Sequence, residues 1–313
     1  MKYKTYNTEL NNVNDYLDKN GVAVIPNILS DDECIYFRNQ IWDEIKYVSQ
    51  NRFDINNENT WNEFYNLSPV HSMLLHYFSL GHMQPVWDIR QHPSVYKVFE
   101  KIWNVNVDDL LVSFDGLSVH LPPEKTNRGW YETNWFHTDQ SSKKIGKHCI
   151  QGLINLYSVN ENDASLSILE KSHNLHESFF KDNNIINSSD WYQLKDNNMD
   201  YFKNCEQTAI KADIGSMFLW DSRTFHQGIL PNINRKNENF RMTIYITMMP
   251  RSLINDPKVL IKRQKNFKNL RITSHWANGN FLFPKKPKLC SYEFNMIHQP
   301  ILNDIGKRLV GFD

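Results

Sequence analysis

Two hydrophobic periods divide the chain. Up to about residue 108 the apolar positions keep helical spacing, with one early strand. "GVAVIPN" (21–27) is a short β-branched run closed by Pro26 and Asn27, and it reads as that strand. Ser30 with Glu33 three residues on then forms a capping-box pattern. Ile35, Phe37, Ile41, Ile45 and Val48 follow at helical intervals and predict a long amphipathic helix. "HPSVYKVFEKIW" (92–103) predicts a second, with Pro93 in its first turn.

From about residue 110 the period shortens. "DLLVSFDGLSVHL", "NWFHTD", "HCIQGLINLYSV", "ASLSIL", "QTAIKA", "SMFLWDS" and "FRMTIYITMM" are short runs of branched and aromatic residues, separated by Asn, Asp, Gly and Pro. Such a succession predicts a sandwich or barrel of strands. The exception is 171–203, where "KSHNLHESFFKDNN" and "DWYQLKDNNMDYF" read as a long, partly helical, lid-like insertion. After 250 the chain is basic and helical ("DPKVLIKRQKNFKNL"), then loop-like to its end. With no repeat or linker, the expectation is one mainly β domain, 1–313, with flanking helices. Its parts are a helical support region (1–108), a strand-rich core (109–250) and a C-terminal extension (251–313).

Composition narrows the classes of function. The 313 residues are 40% hydrophobic with 18 Phe, 14 Tyr and 9 Trp, ample for a sizeable core. Lys and Arg (35) balance Asp and Glu (35), which leaves no basic footprint for nucleic acid. Cys34, Cys149, Cys205 and Cys290 lie far apart, so neither a zinc knuckle nor a disulfide scaffold is indicated. The first residues are polar, and no window approaches the roughly 18 apolar residues of a membrane span. The expectation is a soluble cytoplasmic protein acting on a small molecule, with no membrane or nucleic-acid partner.

Candidate chemistry centres on "NWFHTDQSS" (134–142). On a strand, His137 and Asp139 point to one face while Thr138 faces away. About one such pair is expected by chance in a chain with 12 His and 35 acidic residues, so a third ligand decides the matter. "GSMFLWDSRTFHQGILPN" supplies His226, read as the end of an apolar strand that a jelly roll can return to the first pair. Two His and one carboxylate with open positions form the facial triad of non-heme Fe(II) oxygenases. Fifteen residues further, Arg241 opens a strand with Thr243 on the same face, a fork and a hydroxyl suited to the distal carboxylate of 2-oxoglutarate. Arg235 is a rival for that anion, but it lies in the polar insert "NINRKNEN" rather than on a strand. Gln151, on the strand after the dyad, reads equally as a cofactor or substrate contact and as a polar rim residue. Asp221 and Arg223 read as a structural bridge, the alternative being that Arg223 reaches an anionic substrate, and His173 and His176, which lack a third ligand, as surface or lid residues. Trp130, Tyr131 and Trp135 read as packing.

"WFHTDQ", "FLWDSRTFHQG...PN" and "FRMTIYI" together resemble the phytanoyl-CoA dioxygenase family of Fe(II)/2-oxoglutarate-dependent oxygenases. "GVAVIPNILSDDEC" and "CIQGLINLYSVNENDASLSILEKSH" resemble its opening and the stretch after its metal-binding dyad. The resemblance runs from about 20 to 250. It implies a double-stranded β-helix (jelly roll) packed on N-terminal helices, Fe(II) on His137, Asp139 and His226, 2-oxoglutarate held by Arg241, and O2 as oxidant. The chain departs from the pattern at Ala164, at Glu170-Lys171 where Pro-Gly is usual, and at Gly228 where a hydroxyl residue is common. The implied reaction is hydroxylation of a small organic substrate with release of succinate and CO2. Two other readings stand beside it: a catalytically silent jelly roll that binds ligand or protein, and a cupin-type metal-dependent hydrolase or isomerase.

Overall fold

The chain begins with β1 (Lys2–Lys4), α1 (Val13–Asn20) and β2 (Val22–Ile25) in the computed structural model, which describes residues 1–254, 256–279, 281–288, 290 and 292–312. Ser30 and Glu33 then close the capping box: the Glu33 amide donates to Ser30 Oγ (3.3 Å) and the Ser30 amide to Glu33 Oε2 (2.8 Å). The helix they start, α2 (Asp31–Val48), buries Cys34, Phe37, Ile41, Ile45 and Val48, a ridge spaced 3, 4, 4 and 3 residues. Ile35 was expected on that ridge but is 40% exposed. It lies about 100° around the helix from Cys34, which takes its place. α3 (Gln84–Arg90) follows β3 (Leu74–Leu75), and α4 (Pro93–Trp103) starts on Pro93 as expected, with His92 Nδ1 accepting the Ser94 amide.

The strand-rich part runs β4 (Leu110–Val112), β5 (Leu117–His120), α5 (Pro123–Thr126), β6 (His137–Thr138), β7 (Ile150–Asn155) and β8 (Ser165–Leu169). It continues through α6 (His176–Asp182), β9 (Tyr192–Gln193), β10 (Gln207–Ile210), β11 (Met217–Asp221), β12 (His226–Ile229), β13 (Arg241–Tyr245) and β14 (Met248–Pro250), and α7 (Lys258–Lys268) and α8 (Asp304–Val310) complete the chain. Two six-stranded sheets form, β2-β11-β7-β13-β5-β3 and β1-β10-β8-β12-β6-β9, the facing sheets of a double-stranded β-helix. Strands of the first sheet are buried on both faces, which explains their continuous apolar runs. Met217, Leu219, Ile150, Ile154, Met242 and Ile244 pack outward in one cluster with Ile41, Trp87 and Phe99 of the helices. Phe218, Trp220 and Leu153 point inward, onto Leu166 and Ile168 of the second sheet. The same alternation turns Gln151, Arg241, Thr243, Ser118 and His120 inward.

Three further expectations are modified. The insertion at 171–203 is partly helical, but it also contributes β9, an edge strand paired with β6. His173 and His176 are buried, not on the surface: their Nε2 atoms bond the carbonyls of Asp18 (3.1 Å) and Gln140 (3.0 Å), which lets a polar ring sit inside. The end of the chain is not loop-like, because α8 is capped by Asn303 Oδ1 at the Gly306 amide and by Gly311 at φ +108°. At Glu170-Lys171, where the chain departs from the usual Pro-Gly, Lys171 is left-handed (φ +62°), so a lysine adopts a conformation that favours glycine. No helix among the described residues is long and apolar enough to cross a membrane.

Candidate metal centre

The turn between β11 and β12 is what brings the third ligand home. His226 was expected at the end of the apolar strand, but that strand stops at Asp221 in the first sheet, and His226 opens β12 in the second. Asp221 fixes the crossing by gripping Arg223 with both oxygens, to Nε at 3.0 Å and Nη2 at 2.8 Å, so the pair is the structural bridge expected of it. β12 then pairs with β6 so that His226 stands directly opposite His137. Asp139, two residues beyond His137, joins the same face.

The three donors converge inside the protein. Asp139 Oδ2 lies 3.6 Å from His137 Nε2 and 3.2 Å from His226 Nε2, and one ligand atom from each residue lies within 4.8 Å of the others. All three residues are buried. A divalent ion with ligand bonds of about 2.1 Å at right angles wants its donors roughly 3 Å apart, so the set fits one ion with small adjustment. The far side of each ring is already used. His226 Nδ1 faces Thr224 O at 2.9 Å and His137 Nδ1 faces Trp135 O at 3.4 Å, which places the ring protons on Nδ1 and leaves the Nε2 lone pairs for a metal. Gln151 Nε2 donates to Asp139 Oδ2 at 2.9 Å. The side chain read as a cofactor contact or rim group therefore orients the ligand carboxylate.

Electrostatics favour the same state. Burial pushes the Asp139 carboxyl up, yet His275 and His137 beside it hold it well below the usual carboxylate range. Burial, and then neighbouring His226, push the His137 imidazole down. An ionised Asp139 beside a neutral His137 satisfies both directions, with the Gln151 amide donating to the carboxylate.

A second polar group lies on the inner face of β13. Arg241 is 3% exposed, its Nε donating to Ser118 Oγ (3.3 Å) and its Nη1 to Ala164 O (3.2 Å). Among the described residues no carboxylate pairs with it. Thr243 lies opposite Ser118 in the β13–β5 register, and its Oγ1 is buried without a partner. His120 lies opposite Arg241, with both ring nitrogens buried and unpartnered, and burial pushes its imidazole down to about 3. Arg235, the rival, is already engaged: its Nε donates to Glu124 Oε1 at 2.6 Å, and Nη1 lies 3.5 Å from Asp163. A Cβ at Gly228 would sit 3.2 Å from Met73 Sδ, so a hydroxyl residue there would require the Met73 side chain to give way slightly. Trp135 is stacked between His71 and His137, with centroids 3.9 and 4.7 Å away.

Sequence reasoning did not single out Ser118, His120, Tyr245 beside Arg241, or the C-terminal pair His275 and Trp276. The period-2 polar residues within "LSVHL" were a signal for the first two. Trp276 Nε1 donates to Asp139 O at 3.1 Å, and no motif announces it.

No protein-family model matches the chain. The Ava biosynthesis cluster protein O of Aspergillus versicolor is 27% identical to it over 259 residues, 80% of each chain. The Dictyostelium discoideum protein named "Putative phytanoyl-CoA dioxygenase" is 25% identical over 291 residues, covering 80% of this chain and 78% of its own length. The crystal structure of the epimerase SnoN in complex with Fe3+, alpha ketoglutarate and nogalamycin RO superposes with a TM-score of 0.51 at 12% identity, over 77% of this chain and 83% of SnoN, a likeness of fold. With its jelly-roll core and its buried His137, Asp139 and His226, the chain is similar in sequence and fold to phytanoyl-CoA dioxygenase-like proteins.

Proposed function

We propose that the chain is an Fe(II)/2-oxoglutarate-dependent oxygenase that hydroxylates an unactivated C–H of a small organic substrate. The observation that carries this reading is the buried guanidinium of Arg241, without a carboxylate partner, inside the same barrel as the His-Asp-His cluster. A buried charge is expensive unless something pairs with it. An anionic ligand that spans from a metal to a buried cation satisfies both features, and 2-oxoglutarate has an oxo-acid at one end and a carboxylate at the other. The silent-binder and cupin-type readings leave Arg241 without a purpose.

His137, Asp139 and His226 would hold the ion. Iron with 2-oxoglutarate and O2 supplies the oxidant, with succinate and CO2 as by-products. The protein's own contributions are positional. Gln151 keeps Asp139 ionised and aimed at the ion. Arg241, Ser118 and Thr243 receive the distal carboxylate through charge-assisted and hydroxyl hydrogen bonds. Trp220, Ile168 and Leu166 wall the interior against water. Asp139 stands where a halide would need to bind, which favours hydroxyl transfer over halogenation.

Anaerobic addition of Fe(II) and then 2-oxoglutarate to metal-free protein tests the reading. A weak visible charge-transfer band is expected in wild type, absent in His226→Ala. Iron binding with no band on adding 2-oxoglutarate favours the cupin-type alternative, and absence of iron binding favours the silent binder.

A further inference from the structure

The two segments without a recognisable motif, the insertion at 171–203 and the chain beyond 250, meet at the metal centre. β9 of the insertion pairs with β6, placing His137 opposite Gln193 and Thr138 opposite Tyr192. Side chains alternate along a strand, so Gln193 shares the face of His137, and Trp191 two residues back shares it too. The Trp191 ring lies 6.1 Å from the His137 ring and is 49% exposed, a broad apolar face left open beside a buried metal centre.

The C-terminal extension reaches the other side. The Trp276 bond to Asp139 O anchors it, with His275 next in the chain. His275 Nε2 is shut off from solvent and has no hydrogen-bond partner. Lys144 ties the two segments together: its Nζ is 2.6 Å from Asp190 Oδ2 in the insertion and 3.4 Å above the Trp276 ring. The charges at this junction therefore neutralise each other.

We propose that Trp191, Gln193 and His275 form the site for the organic substrate, and that this substrate is an uncharged, ring-bearing molecule with a hydroxyl or carbonyl oxygen. The proposal rests on the oxygenase reading for the word substrate, but the site itself requires neither iron nor 2-oxoglutarate. An exposed indole offers a rigid face on which a ring stacks, a contact an acyclic chain uses poorly. A buried nitrogen without a partner is costly, and an oxygen function on the ligand would satisfy it. The Gln193 amide adds one donor and one acceptor at the open edge. Because Lys144 and Asp190 pair with each other, neither charge is left free for an ionic ligand.

The test uses two probes and calorimetric titration into metal-free protein: 1-naphthol, with fused rings and one hydroxyl, and hexanoate, acyclic and anionic. Wild type is expected to bind 1-naphthol at least about tenfold more tightly than hexanoate. Trp191→Ala should weaken 1-naphthol about tenfold, Trp191→Phe about twofold, and His275→Ala about fivefold. Ile301→Ala, at a surface position remote in sequence from both segments, should change nothing. A wild type that binds neither probe, or both alike, overturns the proposal. So does unchanged 1-naphthol affinity in Trp191→Ala and His275→Ala. If Trp191→Ala does not fold, Trp191→Phe and Gln193→Ala decide the matter by the same criterion. Selective 1-naphthol binding without a charge-transfer band would sink the oxygenase reading alone, and the converse would sink this site alone.

Discussion

Arg241 and Arg235 offer a contrast within one barrel. Both are buried, at 3% and 9% exposure, and they lie six residues apart. Arg235 is paired with Glu124 and close to Asp163, whereas the groups around Arg241 are neutral: Ser118 Oγ and Ala164 O accept from it and the Tyr245 hydroxyl lies beside it. Replacing each by methionine, of similar length and without charge, should have opposite consequences. Arg235→Met strands the buried Asp163, and losing one partner of a buried pair costs about 3–5 kcal/mol, to which the exposed Glu124 adds little. Arg241→Met removes a desolvated cation, whose penalty is several kcal/mol, and forfeits two hydrogen bonds of about 1.5–3 kcal/mol each. The terms nearly cancel, so Arg241→Met should stay within about 1 kcal/mol of wild type in ligand-free urea unfolding. Its effect belongs to the co-substrate. Truncating one partner of a buried charge pair costs about 2–5 kcal/mol, a 30-fold to several-thousand-fold loss of 2-oxoglutarate affinity, read from the charge-transfer band. If Arg241→Met unfolds as easily as Arg235→Met, or keeps its 2-oxoglutarate affinity, Arg241 is a structural ion and the argument for the co-substrate fails.

Gln151→Leu should lower iron affinity about 10- to 100-fold in chelator competition while leaving the fold intact, since the amide's described role is its bond to Asp139. Lys171→Gly should be stabilising by roughly 0.5–1 kcal/mol in urea, because relief of a left-handed lysine exceeds the extra unfolded-state freedom of glycine. An equal or larger loss would mean that the Lys171 side chain matters more than its backbone. His82 supplies a pH dependence: burial pushes it down to about 3, and its ring accepts from Trp87 Nε1 while facing Arg271 O at 2.9 Å. Its folded value lies below the unfolded one, so its contribution is complete above about pH 6.5 and is lost as pH falls toward 3. The loss is about 1 kcal/mol between pH 6.5 and 5.5 and about 1.4 per unit below that, and His82→Gln should flatten the acid limb by that amount. An unchanged slope would mean that the ring is protonated in the folded state.

What the sequence made legible follows the range of the interactions involved. The capping box of α2, Pro93 at the start of α4 and the alternation of His137 and Asp139 are local, decided within a few residues, and local pattern reads them directly. Ile35 shows the limit of that reading: as an isoleucine it looks like core, but Cys34 completes the ridge, and hydrophobicity alone does not choose between neighbours. Ser118 and His120 depend on a β5–β13 register joining residues more than 120 apart, and Trp191 and His275 on a two-residue strand pairing and one indole hydrogen bond. No short pattern encodes such contacts. Yet one rule reaches part of the way. Polar side chains on a strand buried on both faces have no water to bond, so those that recur at period 2 within an apolar run must find partners on the face they share. "LSVHL", "IQGLIN" and "RMTIY" each break their apolar runs in that way, and their polar members all turn inward, into the barrel that also holds the triad. The same periodicity marks Ser118 and His120 beside the two histidines and the arginine.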